Sequence, residues 1–256
     1  MSNLLRELPH RLQGKEAVLA FDYDGTLSEF ADDLQDATVS HGMQRALLQL
    51  ETVAKIIIVS SRNASFLKER LKFLRSAQIY GLHGLESPQR TKSPLPHAEL
   101  TSMVSLKRRI TAIIEKERHA WIEGKPAGFC VHFRGAKEMA YKKLSALARK
   151  AALDAGFRAY GGNWALEVLS KRSPTKASTL QRIARSMGRN GVLFYFGDDD
   201  ADEEAFAKLG RFKCTITVAI GRKNTAANYS LKDIKELVRV INIITKKIKE
   251  KNTAAR

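Results

Sequence analysis

Short, continuous apolar runs alternate with helix-patterned segments along most of this chain, and this alternation constrains the fold more than any other feature. Runs that are apolar throughout predict strands buried on both faces, as in a parallel sheet covered by helices. We predict such strands at 17–22, 55–60, 78–81, 192–197 and 215–220. The fold class that follows is α/β, with a Rossmann-type parallel sheet between helical layers.

The segments between these strands have apolar residues at helical spacing. They predict helices over Met43–Leu50, Phe66–Leu74, Leu180–Met187 and Leu231–Ile244. Asn63 precedes the second of them as a candidate N-cap, and Gly188 follows the third as a candidate stop.

The middle of the chain has a different pattern. We predict a helix at about 98–117, followed by strands at 120–123 and 129–133. A second helix near 141–151 and a hairpin over 157–169 come next, with Gly161-Gly162-Asn163 at the hairpin turn. This order predicts an antiparallel sheet with helices on one face. We therefore place a core domain at 1–88 and 171–256 and an inserted α+β cap domain at 89–170. Proline-containing linkers, Ser87–Pro96 and Ser170–Pro174, would lead into and out of the insertion.

Composition excludes several classes of protein. A hydrophobic content of 44% over 256 residues is ample for a core, and Cys130 and Cys214 lack metal-ligand spacing. No apolar run reaches the ~18 residues of a membrane span, and Met1–Arg11 lacks a signal-peptide pattern, so we expect a cytoplasmic protein without a membrane partner. The net charge of +17 keeps nucleic-acid binding as an alternative, although zinc-finger spacing and aromatic RNA-binding signatures are absent from the sequence. Oligomeric state stays open.

Polar residues that could perform chemistry follow the predicted strands. Asp22 and Asp24 end the first strand, Ser60 ends the second, and an acidic stretch from Asp198 to Asp202 follows the strand at 192–197. Lys176 begins a helix just after the insertion. Because the carboxyl ends of parallel strands meet at one edge of a sheet, we expect these side chains to lie together.

Phosphoryl transfer is the chemistry that this set suggests. Asp22 and Asp198 can bind Mg²⁺, while Lys176, the Ser60 hydroxyl and backbone amides near Asp24 and Gly25 can bind phosphoryl oxygens. One carboxylate can attack phosphorus. The other, Asp24, can protonate the leaving alcohol and then activate water.

Four motifs occur in order: D-Y-D-G-T at 22–26, Ser60 after I-I-I-V, Lys176, and G-D-D-D-A-D-E at 197–203. In this the sequence resembles the haloacid-dehalogenase-type (HAD) phosphatases. The resemblance implies an HAD-like core, with Asp22 as nucleophile and Asp24 as general acid/base. It implies a Mg²⁺ site formed by Asp22, the Asp24 backbone carbonyl and Asp198. Asp202 would support this site, and Asp199 is a further candidate for the same role. The predicted phosphate-binding residues are Thr26, Ser60, Ser61, Arg62 and Lys176.

Further segments narrow the resemblance. G-L-H-G-L-E at 81–86 is similar to the G-x-H-G-x-E segment of trehalose-6-phosphate phosphatases, and Glu123–Lys125, Val131–Arg134 and Leu166–Val168 resemble cap segments of that family. The resemblance implies a Mg²⁺-dependent phosphatase that hydrolyses trehalose 6-phosphate through an aspartyl phosphate. It also implies that Glu123, Lys125 and Glu167 contact the sugar hydroxyls. His83 is a further predicted substrate-binding residue, and it would lie with Arg62 near the phosphate or the cleft between cap and core.

Alternatives stay open at this point. Ser61 and Ala177 replace glycines of the family pattern and Ala201 replaces a threonine, so the substrate could be another sugar phosphate or a glycosyl-phosphoglycerate. Glu123 and Lys125 could form a surface ion pair only, and His132 could be a packed strand residue. A non-catalytic phospho-receiver would share the acidic pair, the hydroxyl and the lysine, but it needs neither Asp24 nor the insertion.

Overall fold

The structure is a computed structural model, and it describes residues 2–29, 36–88, 90–91, 96–162, 164–188 and 190–254. The chain forms two compact units. We call Met1–Thr91 with Pro174–Arg256 the core unit, and Lys92–Ser173 the inserted unit. Within the predicted leading linker, residues 89 and 92–95 lie outside the described residues, as does Asn163 at the predicted hairpin turn.

Strands and helices are numbered in chain order. The strands are β1 (Glu16–Phe21), β2 (Lys55–Val59), β3 (Gln78–Tyr80), β4 (Glu86–Ser87), β5 (Arg90–Thr91), β6 (Trp121–Lys125), β7 (Gly128–His132), β8 (Arg158–Gly162), β9 (Ala165–Leu169), β10 (Gly191–Gly197), β11 (Thr215–Ile220) and β12 (Tyr229–Leu231). The helices are α1 (Ser2–Leu12), α2 (His41–Glu51), α3 (Ala64–Arg70), α4 (His97–Ile114), α5 (Glu138–Asp154), α6 (Lys176–Met187), α7 (Asp200–Leu209) and α8 (Ile234–Ala254). No helix in the described part of the chain combines the length and apolar character that a membrane crossing requires.

The core unit is organised around a parallel sheet with the strand order β12-β11-β10-β1-β2-β3. β1 lies near the centre, between β10 and β2. The five predicted strands are β1, β2, β3, β10 and β11, and each lies within one residue of its predicted bounds.

Both faces of this sheet are buried, which explains why its central strands are mainly apolar. On one face Leu19 and Phe21 pack in a core that includes residues of α1, α2 and α8. On the other face Val18 and Ala20 pack in a core that includes residues of α6 and α7. Successive strand residues point to opposite faces, so every position of β1 after Glu16 is buried.

Two helix ends have the predicted caps, and two helices have other bounds than predicted. The helix predicted to reach Leu74, α3, ends at Arg70. The Asn63 side chain accepts a hydrogen bond from the Phe66 amide at the start of α3, and Gly188 caps the end of α6. The last helix, predicted from Leu231, instead begins at Ile234. Leu231 pairs with Ile220 in the parallel sheet, so its burial comes from strand packing.

The inserted unit has the predicted organisation. Its sheet is antiparallel with the order β6-β7-β9-β8, and α4 and α5 pack against each other and against its strands. The register places Cys130 opposite both Glu123 and Glu167. Side chains of these three residues therefore share one face of the sheet.

A tight contact joins the two chain segments that flank the insertion. Leu82 and His83 have positive φ angles of 48° and 60°, and Gly84 follows with 102°. The Thr179 hydroxyl, on α6, donates a hydrogen bond to the His83 carbonyl at 2.8 Å. A Cβ atom on Gly84 would lie 2.1 Å from Thr179 Oγ1, so the close approach requires glycine at this position.

Candidate functional site

The predicted strand-end residues come together at the carboxyl edge of the parallel sheet. Asp22 follows β1 directly, and its backbone amide donates to the Phe196 carbonyl of β10 at 2.9 Å. Asp198 follows β10, and Ser60 follows β2. Because β10, β1 and β2 are neighbours, the three polar residues leave adjacent strands at the same edge.

Lys176 lies at the centre of a group of carboxylates. It is the first residue of α6, where Thr175 and Ser178 form a reciprocal capping box. Its side chain is fully buried, and Nζ lies 2.9 Å from Asp22 Oδ2, 2.8 Å from Asp202 Oδ1 and 3.3 Å from Asp199 Oδ2. We call Lys176 with Asp22, Asp198, Asp199 and Asp202 the acidic cluster.

Asp202 anchors this cluster through a set of hydrogen bonds. Its Oδ2 accepts from the backbone amides of Asp198 and Asp199 at 2.8 and 3.0 Å. Its Oδ1 accepts from Lys176 and from the Tyr195 hydroxyl. These four donors match the acceptor capacity of one carboxylate. Gly197 makes the arrangement possible, because a Cβ there would lie 2.3 Å from the Asp202 carboxyl carbon.

Burial and crowding of like charges change the acidity of these groups. Burial raises the pKa of Asp22 well above its usual range, although the Lys176 ammonium opposes this change. Burial and the Asp202 charge likewise raise the pKa of Asp198, and they raise that of Asp199 to about 6. Burial also favours a higher pKa for Asp202. The Lys176 charge and the hydrogen bonds to this carboxylate have the larger combined effect, so its pKa is lowered. The cluster therefore has more negative charge than its one ammonium can neutralise.

The donor set of the acidic cluster fits a hard divalent cation. Oxygen atoms of Asp22, Asp198 and Asp202 all lie within 4.8 Å of one another. Mg²⁺ prefers carboxylate oxygens, supplemented by water and phosphate oxygens. Since the Asp202 oxygens already accept four hydrogen bonds, Asp22 and Asp198 are the better candidates for direct ligands.

The Asp24 carboxylate pairs with Arg62. The Arg62 guanidinium donates to both carboxylate oxygens, with distances of 2.8 Å from Nε and 2.7 Å from Nη2. Any contribution of Asp24 to a metal site would thus have to come from its backbone carbonyl. Gly25 turns the chain with a φ of 76°, and its amide donates to the Ser28 carbonyl, so one amide expected for phosphate is used within the turn.

The other predicted phosphate-binding residues lie around the same edge. The buried Thr26 hydroxyl donates to Asp198 Oδ1 at 3.0 Å. The buried Ser60 hydroxyl accepts from the Arg62 amide at 3.2 Å, and the half-buried Ser61 lies between them in the chain. His83 is buried, and its amide donates to the Ser60 carbonyl at 2.8 Å, which brings the 81–86 segment to this edge.

Glu123, Lys125 and Glu167 lie together on one face of the inserted sheet. Lys125 Nζ is 2.5 Å from Glu167 Oε1 across strands, and both side chains are largely buried. Burial disfavours the charged amine, but the Glu167 carboxylate outweighs it and raises the pKa of Lys125. Glu123 Oε2 lies 2.9 Å from His132 Nε2, and the Glu123 side chain is half exposed. Lys125 therefore pairs with Glu167, and Glu123 contacts His132.

Two residues of the core site were missed by the sequence analysis. Tyr195, inside the predicted strand at 192–197, donates its buried hydroxyl to Asp202. Arg222, just after β11, donates to the Asp198 carbonyl through Nε and to Asp200 Oδ1 through Nη2 at 3.1 Å. Each residue had one signal in the sequence. A buried tyrosine such as Tyr195 needs a hydrogen-bond partner. Arg222 follows the strand next to β10, at the sheet edge where polar residues were expected.

Comparison with known proteins identifies related chains. The family model described as trehalose-phosphatase matches residues 20–235. A trehalose 6-phosphate phosphatase of Zea mays is 28% identical over 255 residues, which cover 89% of this chain and 70% of the relative.

Solved structures share the fold. The C-terminal domain of the Candida albicans trehalose-6-phosphate phosphatase matches with a TM-score of 0.78 at 20% identity, covering 94% of this chain and 96% of that one. A phosphatase of the HAD superfamily from Bacteroides thetaiotaomicron matches with a TM-score of 0.59 at 19% identity, covering 91% and 96%. These similarities confirm the predicted HAD-like α/β fold.

Proposed function

This chain belongs to the trehalose-phosphatase family, and from that premise we propose that it hydrolyses trehalose 6-phosphate to trehalose and phosphate with the help of Mg²⁺. The predicted resemblance and the predicted enzyme class, a phosphoric monoester hydrolase, are confirmed at the level of the family. One observation supports the proposal above others. Asp22 is buried beside Lys176 and Asp198 at the strand edge where the related fold positions its chemistry.

In the proposed first step Asp22 is the nucleophile. One of its carboxylate oxygens attacks phosphorus, an oxygen–phosphorus bond forms, and the bond to the sugar oxygen breaks. Asp24 donates a proton to that leaving oxygen. Lys176, 2.9 Å from Asp22, fixes the orientation of the nucleophile and faces the phosphoryl charge, while the Ser60 hydroxyl binds a phosphoryl oxygen.

In the second step water attacks the phosphorus of the aspartyl phosphate. Asp24, now deprotonated, takes the proton of this water, and the bond between phosphorus and Asp22 breaks to release inorganic phosphate. Each Asp24 oxygen accepts one hydrogen bond from Arg62 in this structure, so each keeps a lone pair through which Asp24 can exchange a proton with substrate or water.

Asp22, Asp198 and the Asp24 backbone carbonyl would hold the Mg²⁺, with Asp202 fixing the backbone amides around Asp198. When bound, the ion would supply positive charge between these carboxylates and the phosphoryl oxygens. The close approach of carboxylate oxygens of Asp22, Asp198 and Asp202, all within 4.8 Å of one another, supports this assignment.

The inserted unit would act as the cap that recognises the sugar. Glu123, Lys125 and Glu167 offer charged hydrogen-bonding groups on one sheet face, as sugar hydroxyls require. Their assignment, like that of His83, and the cytoplasmic location remain predictions from the sequence.

A phosphate-release assay tests the proposal. Purified protein should release phosphate from trehalose 6-phosphate when Mg²⁺ is present and should lose this activity when the ion is chelated. Glucose 6-phosphate, sucrose 6-phosphate and a glucosyl-phosphoglycerate serve as competing substrates. Preference for one of these would leave the chain a phosphatase and would overturn the substrate assignment.

A further inference from the structure

The inserted sheet has an aromatic residue beside its charged groups that the proposed function does not use. Trp121 begins β6, and strand alternation places it on the same face as Glu123 and Lys125. It pairs across the strands with His132 of β7. We call Trp121, Glu123, Lys125, His132 and Glu167 the polar sheet face.

The indole of Trp121 lies flat against the imidazole of His132. The ring centroids are 4.8 Å apart with an interplanar angle of 20°. His132 is 4% exposed, whereas Trp121 is 44% exposed. One face of the indole is thus covered by a buried ring, while nearly half of the residue is open to solvent.

The same imidazole also orients Glu123. Its Nε2 lies 2.9 Å from Glu123 Oε2, while its buried Nδ1 is without a hydrogen-bond partner among the described residues. A neutral ring with its hydrogen on Nε2 satisfies this arrangement, because it donates to the carboxylate and leaves no buried N–H unpaired. His132 therefore fixes both the plane of the indole and the position of the carboxylate.

An exposed aromatic face next to fixed charged groups suits a pyranose ring. The C–H groups of a glucose ring carry small positive charges that match the negative face of an indole, while its hydroxyls need directional partners such as carboxylates and an ammonium. We propose that Trp121 is the aromatic platform for a glucosyl ring of the leaving group and that His132 is the positioning residue for Trp121 and Glu123. This inference rests on the proposed function, since it names how that substrate's sugar is bound.

Steady-state kinetics provide the first test. Trp121→Leu should raise KM for trehalose 6-phosphate about tenfold with kcat little changed, because an apolar contact to the substrate is lost away from the reacting atoms. Trp121→Phe, which keeps an aromatic face, should stay within about threefold of wild type. Leu153→Ala, which truncates a similarly exposed apolar side chain of the inserted unit, is the matched control.

Fluorescence provides a second test that needs no turnover. The chain has two tryptophans, so Trp164→Phe leaves Trp121 as the sole reporter. Trehalose should change the emission of this variant saturably, and it should leave the emission of Trp121→Phe unchanged. An unchanged KM in Trp121→Leu together with no fluorescence response would overturn the inference.

The two proposals can fail separately. If wild type hydrolyses p-nitrophenyl phosphate but not trehalose 6-phosphate, the proposed substrate is wrong. Titration of the Trp164→Phe variant with trehalose and maltose still decides whether Trp121 binds a glucosyl ring. A response to either sugar supports the platform, and the absence of a response to both refutes it.

Discussion

The acidic cluster of the core unit and the polar sheet face of the inserted unit both consist of charged residues, but they are connected differently. In the acidic cluster, Lys176 contacts three carboxylates and Asp202 accepts four hydrogen bonds, so each group depends on several others. On the polar sheet face, side chains contact one another across strands, as in Lys125–Glu167 and Glu123–His132. A shared network suits chemistry that must be positioned closely, whereas contacts between strands of the inserted sheet allow sugar recognition to vary without affecting catalysis.

The largest effect should come from the acidic cluster. Asp22→Asn should lower phosphate release at least about 1000-fold, since the amide cannot attack phosphorus. Asp24→Asn should lower phosphate release to a similar extent, because this variant lacks the proton donor. Asp154→Asn, a change of the same type at an exposed carboxylate of the inserted unit, should leave the rate unaltered. If wild type instead accumulates a long-lived acyl phosphate without turnover, the phospho-receiver alternative is favoured.

Binding of Mg²⁺ should be measurable as an increase in the free energy of unfolding, with no substrate present. Mg²⁺ at 100 times its dissociation constant should raise the free energy of unfolding of wild type by about 2.7 kcal/mol, because the ion binds only the folded cluster. Asp198→Asn should lose most of this increase, and Asp154→Asn should keep it. Urea unfolding with MgCl₂, and with NaCl at equal ionic strength, measures the difference. An equal response in both variants would remove Asp198 from the metal site.

Tyr195 allows the network itself to be tested. Tyr195→Phe should lower kcat about tenfold, because Asp202 loses a donor and Lys176 is oriented less firmly. Tyr23→Phe is the matched control, since it removes another buried tyrosine hydroxyl, one that donates to the Ala37 carbonyl at 2.8 Å. Both should lose about 1–2 kcal/mol of stability, but only Tyr195→Phe should lose activity. Equal activity in the two variants would show that the Tyr195 bond is structural only.

The smallest effect should appear on the polar sheet face. Glu123→Gln keeps an oxygen that can accept from His132, so KM for trehalose 6-phosphate should rise only about threefold with kcat unchanged. Glu117→Gln, the carboxylate of another pair with a histidine in the same unit, should behave as wild type. A fall in kcat without a change in KM would contradict the separation of recognition from catalysis.

The sequence predicted the parallel sheet well because its central strands are buried on two faces and are mainly apolar, as at 56–59 and in Gly191–Gly197. Strand ends then placed Asp22, Ser60 and Asp198 at one edge. The partners of these residues could not be predicted in the same way. Arg222 reaches the Asp198 carbonyl from a loop 24 residues further on, and its position after β11 indicates the edge of the sheet but not this partner.

The structure differs from the prediction at two other residues, Leu231 and Asp24, and tertiary contacts are again the cause. Leu231 has helical spacing to the residues after it, but it pairs with Ile220 in the sheet, and tertiary packing decides its structure. Asp24 was expected beside Asp22 because strand residues two apart share a face. The strand ends at Phe21, so the turn that follows directs Asp24 to Arg62 instead.

The bond between Thr179 and the His83 carbonyl has a consequence for how this architecture can diversify. His83 lies shortly before the inserted unit and Thr179 shortly after it. This hydrogen bond therefore connects the two segments of the core unit next to the point of insertion. Segments of different length or fold can therefore be exchanged between these two points while the sheet order and the strand-edge residues stay in place. Modular replacement of this kind would let one hydrolytic centre serve leaving groups of many shapes.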